Sequence, residues 1–350
     1  MFHEKRYFCK NYLAMIGNKT KRVSIKDIAM EAGVSPALVS FVLNGKQKQY
    51  RVSDEMAKKI REVVKRLDYK PNGFAKGLRE GTSHTIGVIV SDIANPFFAN
   101  MVKSIETEAE GLGYMALFAS SDENSDKLSN LIDRMLSKEV AGIIIVPCEG
   151  SEDAIASLVD KKIPLVLLDR YIPEIRTNYV CLDNNKAGYE ATEALILKGY
   201  KKITLICYDL EISNMKGRIT GYKKAMEHYG LTDNLKIEYV DIDAIDKSCN
   251  KAIAKIIENN CEAIVCATNS ITVTCLRRIQ QRNLCVPKDI AIMGFDGGNE
   301  FDFYTSPLLF MTQPAESIAK KAVEILINNL ESDFSLVVQI EAEGKIIEHN

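Results

Sequence analysis

The chain has 350 residues, 46% of them hydrophobic and 26% charged, with a formal net charge of −2. That length suits two or three domains, and no run of about 18 apolar residues offers a membrane-spanning helix. The first 22 residues scatter their charges and lack an apolar core, which argues against a secretory signal.

The stretch VSIKDIAMEAGVSPALVSFVL, residues 23–43, carries the strongest local signal. Ser24 can cap a first helix in which Ile25, Ile28 and Ala29 recur at helical spacing. Gly33 ends that helix, because glycine accepts the left-handed backbone of a tight turn. Ser35 then caps a second helix, and Pro36 occupies its first position, where a missing N–H costs nothing. Leu38, Val39, Val42 and Leu43 predict the buried stripe, while Ala37, Ser40, Phe41 and Asn44 face away from it. This is the pattern of a DNA-binding helix-turn-helix; an ordinary helical hairpin is the plainer alternative. Charge favours the first reading. Residues 1–85 hold 18 Lys+Arg against 8 Asp+Glu, and the other 265 hold 27 against 39. A basic head suits phosphate contacts, and an acidic body avoids coating DNA nonspecifically.

A third helix follows, capped by Ser53, with Met56, Ile60, Val63, Val64 and Leu67 on its inner face. Residues 69–84, rich in glycine and polar groups, read as a linker in which Phe74, Ala75 and Leu78 could line one short amphipathic helix. From Thr85 onward strand and helix alternate. Strands are expected at 86–91, 114–120, 142–147 and 164–169, with helices at 97–112, 124–138 and 151–161 between them. The cycle restarts with YVCLD at 179–183, then strands at 203–207, 237–241, 263–267 and 290–296 and helices at 184–198, 214–229, 246–259 and 270–281. Continuous apolar runs indicate parallel sheets covered on both faces, so two α/β lobes in tandem should enclose a cleft at the strands' carboxyl ends. LLFMT, a helix at 314–330 and LVVQI are expected to cross back between lobes. The nine cysteines form no CxxC pair, and no His stands at ligand spacing from one. They read as small buried hydrophobes in a reducing cytoplasm, not as disulfides or a metal site. No GxGxxG, Walker loop, nucleophile elbow or His-centred constellation points to catalysis, and no cofactor motif is present.

A basic helix-turn-helix, a glycine-containing hinge and a two-lobed α/β body resemble, from Val23 onward, the lactose/galactose repressor family of bacterial transcription regulators. The motifs that carry the resemblance are VSIKDIAMEAGVSPALVSFVLNG, LDYKPNGFAKGLREGTSHTIGVIVSDIANPFF, AGIIIVP, GRITGY and GFDG. The fold implied is an all-α head followed by a periplasmic-binding-protein-like core of two lobes with parallel sheets. The domains expected are an extension at 1–22, the head at 23–69, a hinge at 70–84 and the core at 85–350. Within the core the lobe boundary lies near 182–183, with returns near 297–312 and 331–335.

The resemblance implies base reading from Pro36, Ala37 and Phe41, on a face that includes Ser24, Ser35, Ser40 and Asn44. The family commonly has Arg at the place of Phe41 and Thr at that of Leu38, so this chain departs where a hydrogen-bonded base contact is expected. Ala and Phe suit thymine methyl groups instead. A longer loop, GKQKQYR, brings Lys46, Lys48 and Arg51 near the DNA backbone. In the hinge, Pro71, Asn72, Ala75 and Leu78 match the family pattern, with Leu78 as a minor-groove wedge at the centre of a pseudo-palindromic operator. Asp169, Arg218, Asn269, Asp296 and Gln313 match positions that contact sugars in relatives. Asp92, Asn95 and Phe97, after the first body strand, could add polar contacts and an aromatic face.

The function implied is transcription regulation by a cytoplasmic homodimer, a repressor of carbohydrate-utilisation genes whose effector is a sugar or sugar phosphate. The alternatives are a nucleobase, nucleoside or other metabolite in the same architecture and, more remotely, a solute-binding protein without a regulatory role. No leucine heptad follows LVVQI, so a dimer is expected instead of a tetramer. Residues 1–14, ahead of Met15, are expected to be an arm outside the fold or the product of a misplaced start codon.

Overall fold

The computed structural model describes residues 23–69, 83–298, 301–302, 304, 306–331 and 336–349. The extension and the hinge residues Asn72, Ala75 and Leu78 lie outside these. The chain divides into two compact units, residues 1–80 and 81–350.

In the first unit three helices, α1 (Ile25–Ala32), α2 (Pro36–Leu43) and α3 (Asp54–Arg66), enclose a small core. Ile28, Val39, Val42, Ile60 and Val63 meet at its centre. Each helix is capped by the serine before it: the side chains of Ser24, Ser35 and Ser53 accept from the N–H groups of Asp27, Leu38 and Met56. At Ser24 the Asp27 carboxylate reaches back to the Ser24 N–H, completing a capping box. Gly33, at φ 69°, closes α1 in the left-handed conformation. The stripe predicted on α2 is narrower than expected. Val39 and Val42 are buried, but Leu38 and Leu43 are only half covered, because a helix of two turns rests on two neighbours along a single edge.

The second unit has two six-stranded sheets. In the first, β1 (Thr85–Val90), β2 (Met115–Ser120), β3 (Ile143–Ile145), β4 (Leu165–Leu168), β5 (Asn178–Leu182) and β11 (Gln339–Ala342) run in the order β11-β5-β4-β3-β1-β2, every pair parallel. In the second, β6 (Ile203–Tyr208), β7 (Lys236–Val240), β8 (Ala263–Cys266), β9 (Ala291–Phe295), β10 (Leu308–Thr312) and β12 (Lys345–His349) run β12-β10-β9-β8-β6-β7. Here only the β10–β12 edge is antiparallel. Central strands such as β1 and β6 are buried at every residue. Around the first sheet lie α4 (Pro96–Gly111), α5 (Ser125–Ser137), α6 (Glu152–Asp160) and α11 (Ala315–Glu331). Around the second lie α7 (Asn184–Leu197), α8 (Ser213–His228), α9 (Ile245–Glu258) and α10 (Asn269–Gln280).

Three expectations about the chain's path are corrected. YVCLD does not begin the second lobe; as β5 it pairs with β4 and closes the first. The connection between them carries no helix, and α11 covers that face, packing Ile318, Ala322 and Val323 in one cluster with Val166, Leu168 and Val180. The return expected within 297–312 falls later, because β10 pairs with β9 and keeps the chain in the second lobe through Thr312. The return expected at 331–335 is also displaced. Both α11 and β11 belong to the first lobe, and the chain crosses only between β11 and β12, a strand that periodicity did not reveal.

Candidate functional site

The carboxyl ends of the strands of both lobes open onto one cavity of about 430 Å³. All eight cleft residues expected from the sequence line it: Asp92, Asn95, Phe97, Asp169, Arg218, Asn269, Asp296 and Gln313. Asp92 follows β1, Asp169 follows β4, Asp296 follows β9 and Gln313 follows β10. Asn95 and Asn269 sit at the amino ends of α4 and α10. Asp169 and Asp296 adopt the left-handed backbone, at φ 64° and 57°, as do Asp122 and Glu123 at 53° and 54° on the same wall. Such conformations cost an L-residue about 1 kcal/mol or more each, and strain of this kind concentrates at binding sites.

Arg218 rises from α8 and is 2% exposed. Its Nε donates to Asn184 Oδ1 at 2.9 Å, one terminal nitrogen donates to the Ala267 carbonyl, and its guanidinium lies 4.1 Å from the centre of the Phe295 ring. Burial pulls its pKa down, and the charges of Asp296 and Asp169 partly offset that pull. Asp169 is buried too. Burial raises its carboxyl above the ordinary range despite the opposing charges of Arg170 and Arg218. Gln313 Nε2 donates to Asp296 Oδ1 at 2.9 Å, and Asn269 Nδ2 donates to the Asp296 carbonyl at 2.7 Å.

Sequence reasoning missed four residues that organise this wall. Arg170 is 6% exposed. It forms a two-pronged pair with Glu123, at 2.5 and 2.7 Å, and also donates to the Pro147 carbonyl at 3.1 Å and to Asp169 at 3.3 Å. For Glu123 burial is the largest single influence and acts upward. The charge and hydrogen bonds of Arg170 outweigh it, and the carboxyl lies below its ordinary range. Asn214 Nδ2 reaches Asp169 from the other lobe at 3.1 Å, and Asn184 orients Arg218. An Asp-Arg pair just past a strand was a usable signal for Arg170. Nothing local marks Glu123, 47 residues away. Further bridges between lobes join Asn95 to Ser270 at 3.5 Å and the Tyr171 N–H to Ser213 at 2.9 Å.

In the helical unit, Pro36 and Ala37 stand exposed at the start of α2. The Ser24 and Ser35 hydroxyls are engaged in capping, and Asn44 Nδ2 donates to the Ser40 carbonyl and hydroxyl at 2.8 and 3.2 Å. Phe41 is half buried, its ring stacked on that of Tyr50 with centroids 3.7 Å apart and planes 2° from parallel. Tyr50, from the long loop, was not anticipated as its partner. Lys46, Lys48 and Arg51 on that loop are exposed.

A helix-turn-helix head joined to a two-lobed α/β unit with a polar cleft at its strand ends defines a DNA-binding regulator that senses a small molecule. Two family models divide the chain accordingly. "Bacterial regulatory proteins, lacI family" matches residues 24–72, and "Periplasmic binding proteins and sugar binding domain of LacI family" matches 83–347. Catabolite control protein A of Priestia megaterium is 33% identical over 91% of this chain and 96% of its own length. A periplasmic binding protein/LacI transcriptional regulator from Alkaliphilus metalliredigens QYMF, solved with D-xylulofuranose, is 26% identical, with a TM-score of 0.65 over 76% of this chain and 97% of its own. The lac repressor dimer bound to operator and the anti-inducer ONPF shares the fold at 22% identity, with a TM-score of 0.82 over 93% and 98% of the two chains. The chain belongs to the lacI family of bacterial transcription regulators.

Proposed function

We propose that this regulator is a cytoplasmic homodimeric repressor of carbohydrate-utilisation genes, switched by a sugar held between its lobes, without catalysis, metal or cofactor. The observation that carries the reading is the convergence of Asp92, Asn95, Phe97, Asp169, Arg218, Asn269, Asp296 and Gln313 on one cavity. Carboxylates and amides there can grip hydroxyls, and Phe97 offers an apolar face to a sugar ring. The D-xylulofuranose complex of a relative supports the same ligand class. On the DNA side, Pro36, Ala37 and Phe41 would meet base edges, Lys46, Lys48 and Arg51 phosphates, and Leu78 a central base step. A short recognition helix reads few base pairs, so a pseudo-palindromic operator needs two heads, as in the operator-bound lac repressor dimer. The ligand would act by favouring one arrangement of the lobes, since only a difference in affinity between two states can move an equilibrium.

The test is a thermal-shift screen over pentoses, hexoses, disaccharides and nucleobases, followed by DNA titration with and without each hit. A sugar that changes operator affinity is the expected result. A hit confined to nucleobases would overturn the ligand class, and a sugar that binds without altering DNA affinity would overturn the regulatory link. Leu78→Ala should lower the ratio of specific to nonspecific DNA affinity at fixed salt while sugar binding persists. An unchanged ratio would show that Leu78 only packs.

A further inference from the structure

Resting on the reading of the cavity as a sugar site, we infer that its ligand is an uncharged polyhydroxyl compound and that Glu123 is the residue that turns away phosphorylated and acidic sugars. Capture of an anion needs an uncommitted guanidinium, an ammonium or free N–H groups at a helix start. The cationic side chains of the cavity lining are largely committed elsewhere. Among the described residues two guanidinium groups line it, Arg170 and Arg218, and no lysine does. Arg170 spends both terminal nitrogens and Nε on Glu123, the Pro147 carbonyl and Asp169. Arg218 gives Nε to Asn184, one terminal nitrogen to Ala267 and its face to Phe295, so one edge remains for a ligand. Of the four helix starts at the cavity, those of α4 and α10 are capped by side chains, whereas those of α8 and α9, where Ile212, Met215 and Ile245 line it, carry no side-chain cap. Asn95 accepts the Phe97 N–H at 3.0 Å, and Thr268 accepts that of Ile271 at 3.3 Å.

Acceptors are in surplus. Asp92, Asp122, Glu123, Asp169 and Asp296 all line the cavity, with Asp122 paired to Lys127 outside it. Gln313 Oε1 is buried without a hydrogen-bond partner. A buried acceptor of this kind calls for a donor from whatever fills the site. A hydroxyl both donates and accepts, whereas a phosphate dianion only accepts and would add charge beside Asp169 and Asp296. The paired Glu123 is what converts Arg170 from an anion ligand into part of the wall.

Isothermal titration of the full chain decides the matter. D-xylulose, D-ribose, D-glucose and D-fructose are each compared with their phosphate esters, with D-gluconate and inorganic phosphate alongside. At least one neutral sugar should bind, and its phosphate ester should bind weaker by about tenfold or more, the penalty of an unpaired charge. Glu123→Gln keeps the side-chain volume and releases Arg170, so it should close that gap by about tenfold. Adding Arg170→Gln should reopen it. A wild-type chain that prefers the ester overturns the inference while leaving the carbohydrate reading standing, as does a gap indifferent to Glu123→Gln. A nucleobase hit in the thermal-shift screen together with no titrated sugar binding, neutral or phosphorylated, overturns the carbohydrate reading and this inference with it. Should Glu123→Gln fail to fold, the wild-type comparison of sugar with ester still decides the ligand class.

Discussion

Arg218 is held from three directions, and its removal would be felt by each. Arg218→Ala would strand the Asn184 amide oxygen and the Ala267 carbonyl and leave Asp169 and Asp296 without their nearest shared cation. Truncating one partner of a buried charged network costs about 2–5 kcal/mol. Sugar affinity measured by titration should therefore fall by a factor of at least about thirty, and the DNA response to sugar should vanish. A variant that responds as the wild type does would remove Arg218 from the site. In the head, Tyr50 covers one face of Phe41, a residue proposed to meet base edges. Stacked aromatic pairs contribute about 0.5–1.5 kcal/mol beyond their area. Tyr50→Ala should leave the head folded, because its core of Ile28, Val39, Val42 and Ile60 lies elsewhere. It should lower the specific-to-nonspecific DNA affinity ratio by up to about tenfold, read by titration on operator and random duplexes. An unchanged ratio would mean that the ring of Phe41 needs no support.

At the scale of elements, the crossing of α7 and α8 sets where Arg218 and Asn184 can stand. The two backbones meet at glycines. A Cβ on Gly221 would lie 2.1 Å from the Asn185 carbonyl oxygen, and one on Gly188 would lie 2.5 Å from that of Arg218. Both contacts are with backbone, so no side chain can swing aside to relieve them. Gly221→Ala should force the helices apart and destabilise the second unit by about 1–3 kcal/mol in urea unfolding, the usual cost of overpacking. Sugar affinity should fall with it, because Arg218 moves with α8. Wild-type stability in this variant would show that the helices slide without cost. The motif GRITGY was legible in the sequence, but its meaning as a close helix contact was not. The pair Gly217 and Gly221 marks one face only, and the partner glycine lies on another helix.

At the scale of the molecule, a basic head precedes an acidic two-lobed unit, with 18 Lys+Arg against 8 Asp+Glu before residue 86 and 27 against 39 after it. Operator affinity should fall steeply as salt rises from 50 to 200 mM, with a log–log slope near −0.9 for each phosphate neutralised. Sugar affinity should change little over the same range, since the proposed ligand is uncharged. A flat salt dependence of DNA binding would contradict the phosphate contacts assigned to Lys46, Lys48 and Arg51. Light scattering without DNA should give twice the chain mass of 39.1 kDa, and a stable tetramer would contradict the proposed dimer.

Local periodicity and capping were enough to place the three head helices and nearly every strand and helix of the two lobes. These features report how each short segment buries itself, and that information is carried by neighbours in the chain. Asp169, Arg218, Asn269, Asp296 and Gln313 were legible through the family resemblance, and Asp92, Asn95 and Phe97 through their place after the first body strand, because strand ends in an open parallel sheet face one side. Strand order was not legible. The apolar run of β5 is as consistent with opening a second lobe as with closing the first, and only pairing with β4 and cover from α11 decide it. The same holds for the charge balance of the cleft. Arg170 read alone is a free cation, and only the fold brings Glu123 from 47 residues away to occupy it. Whether a guanidinium serves a ligand or a neighbour depends on distances in space, and a linear pattern does not contain them.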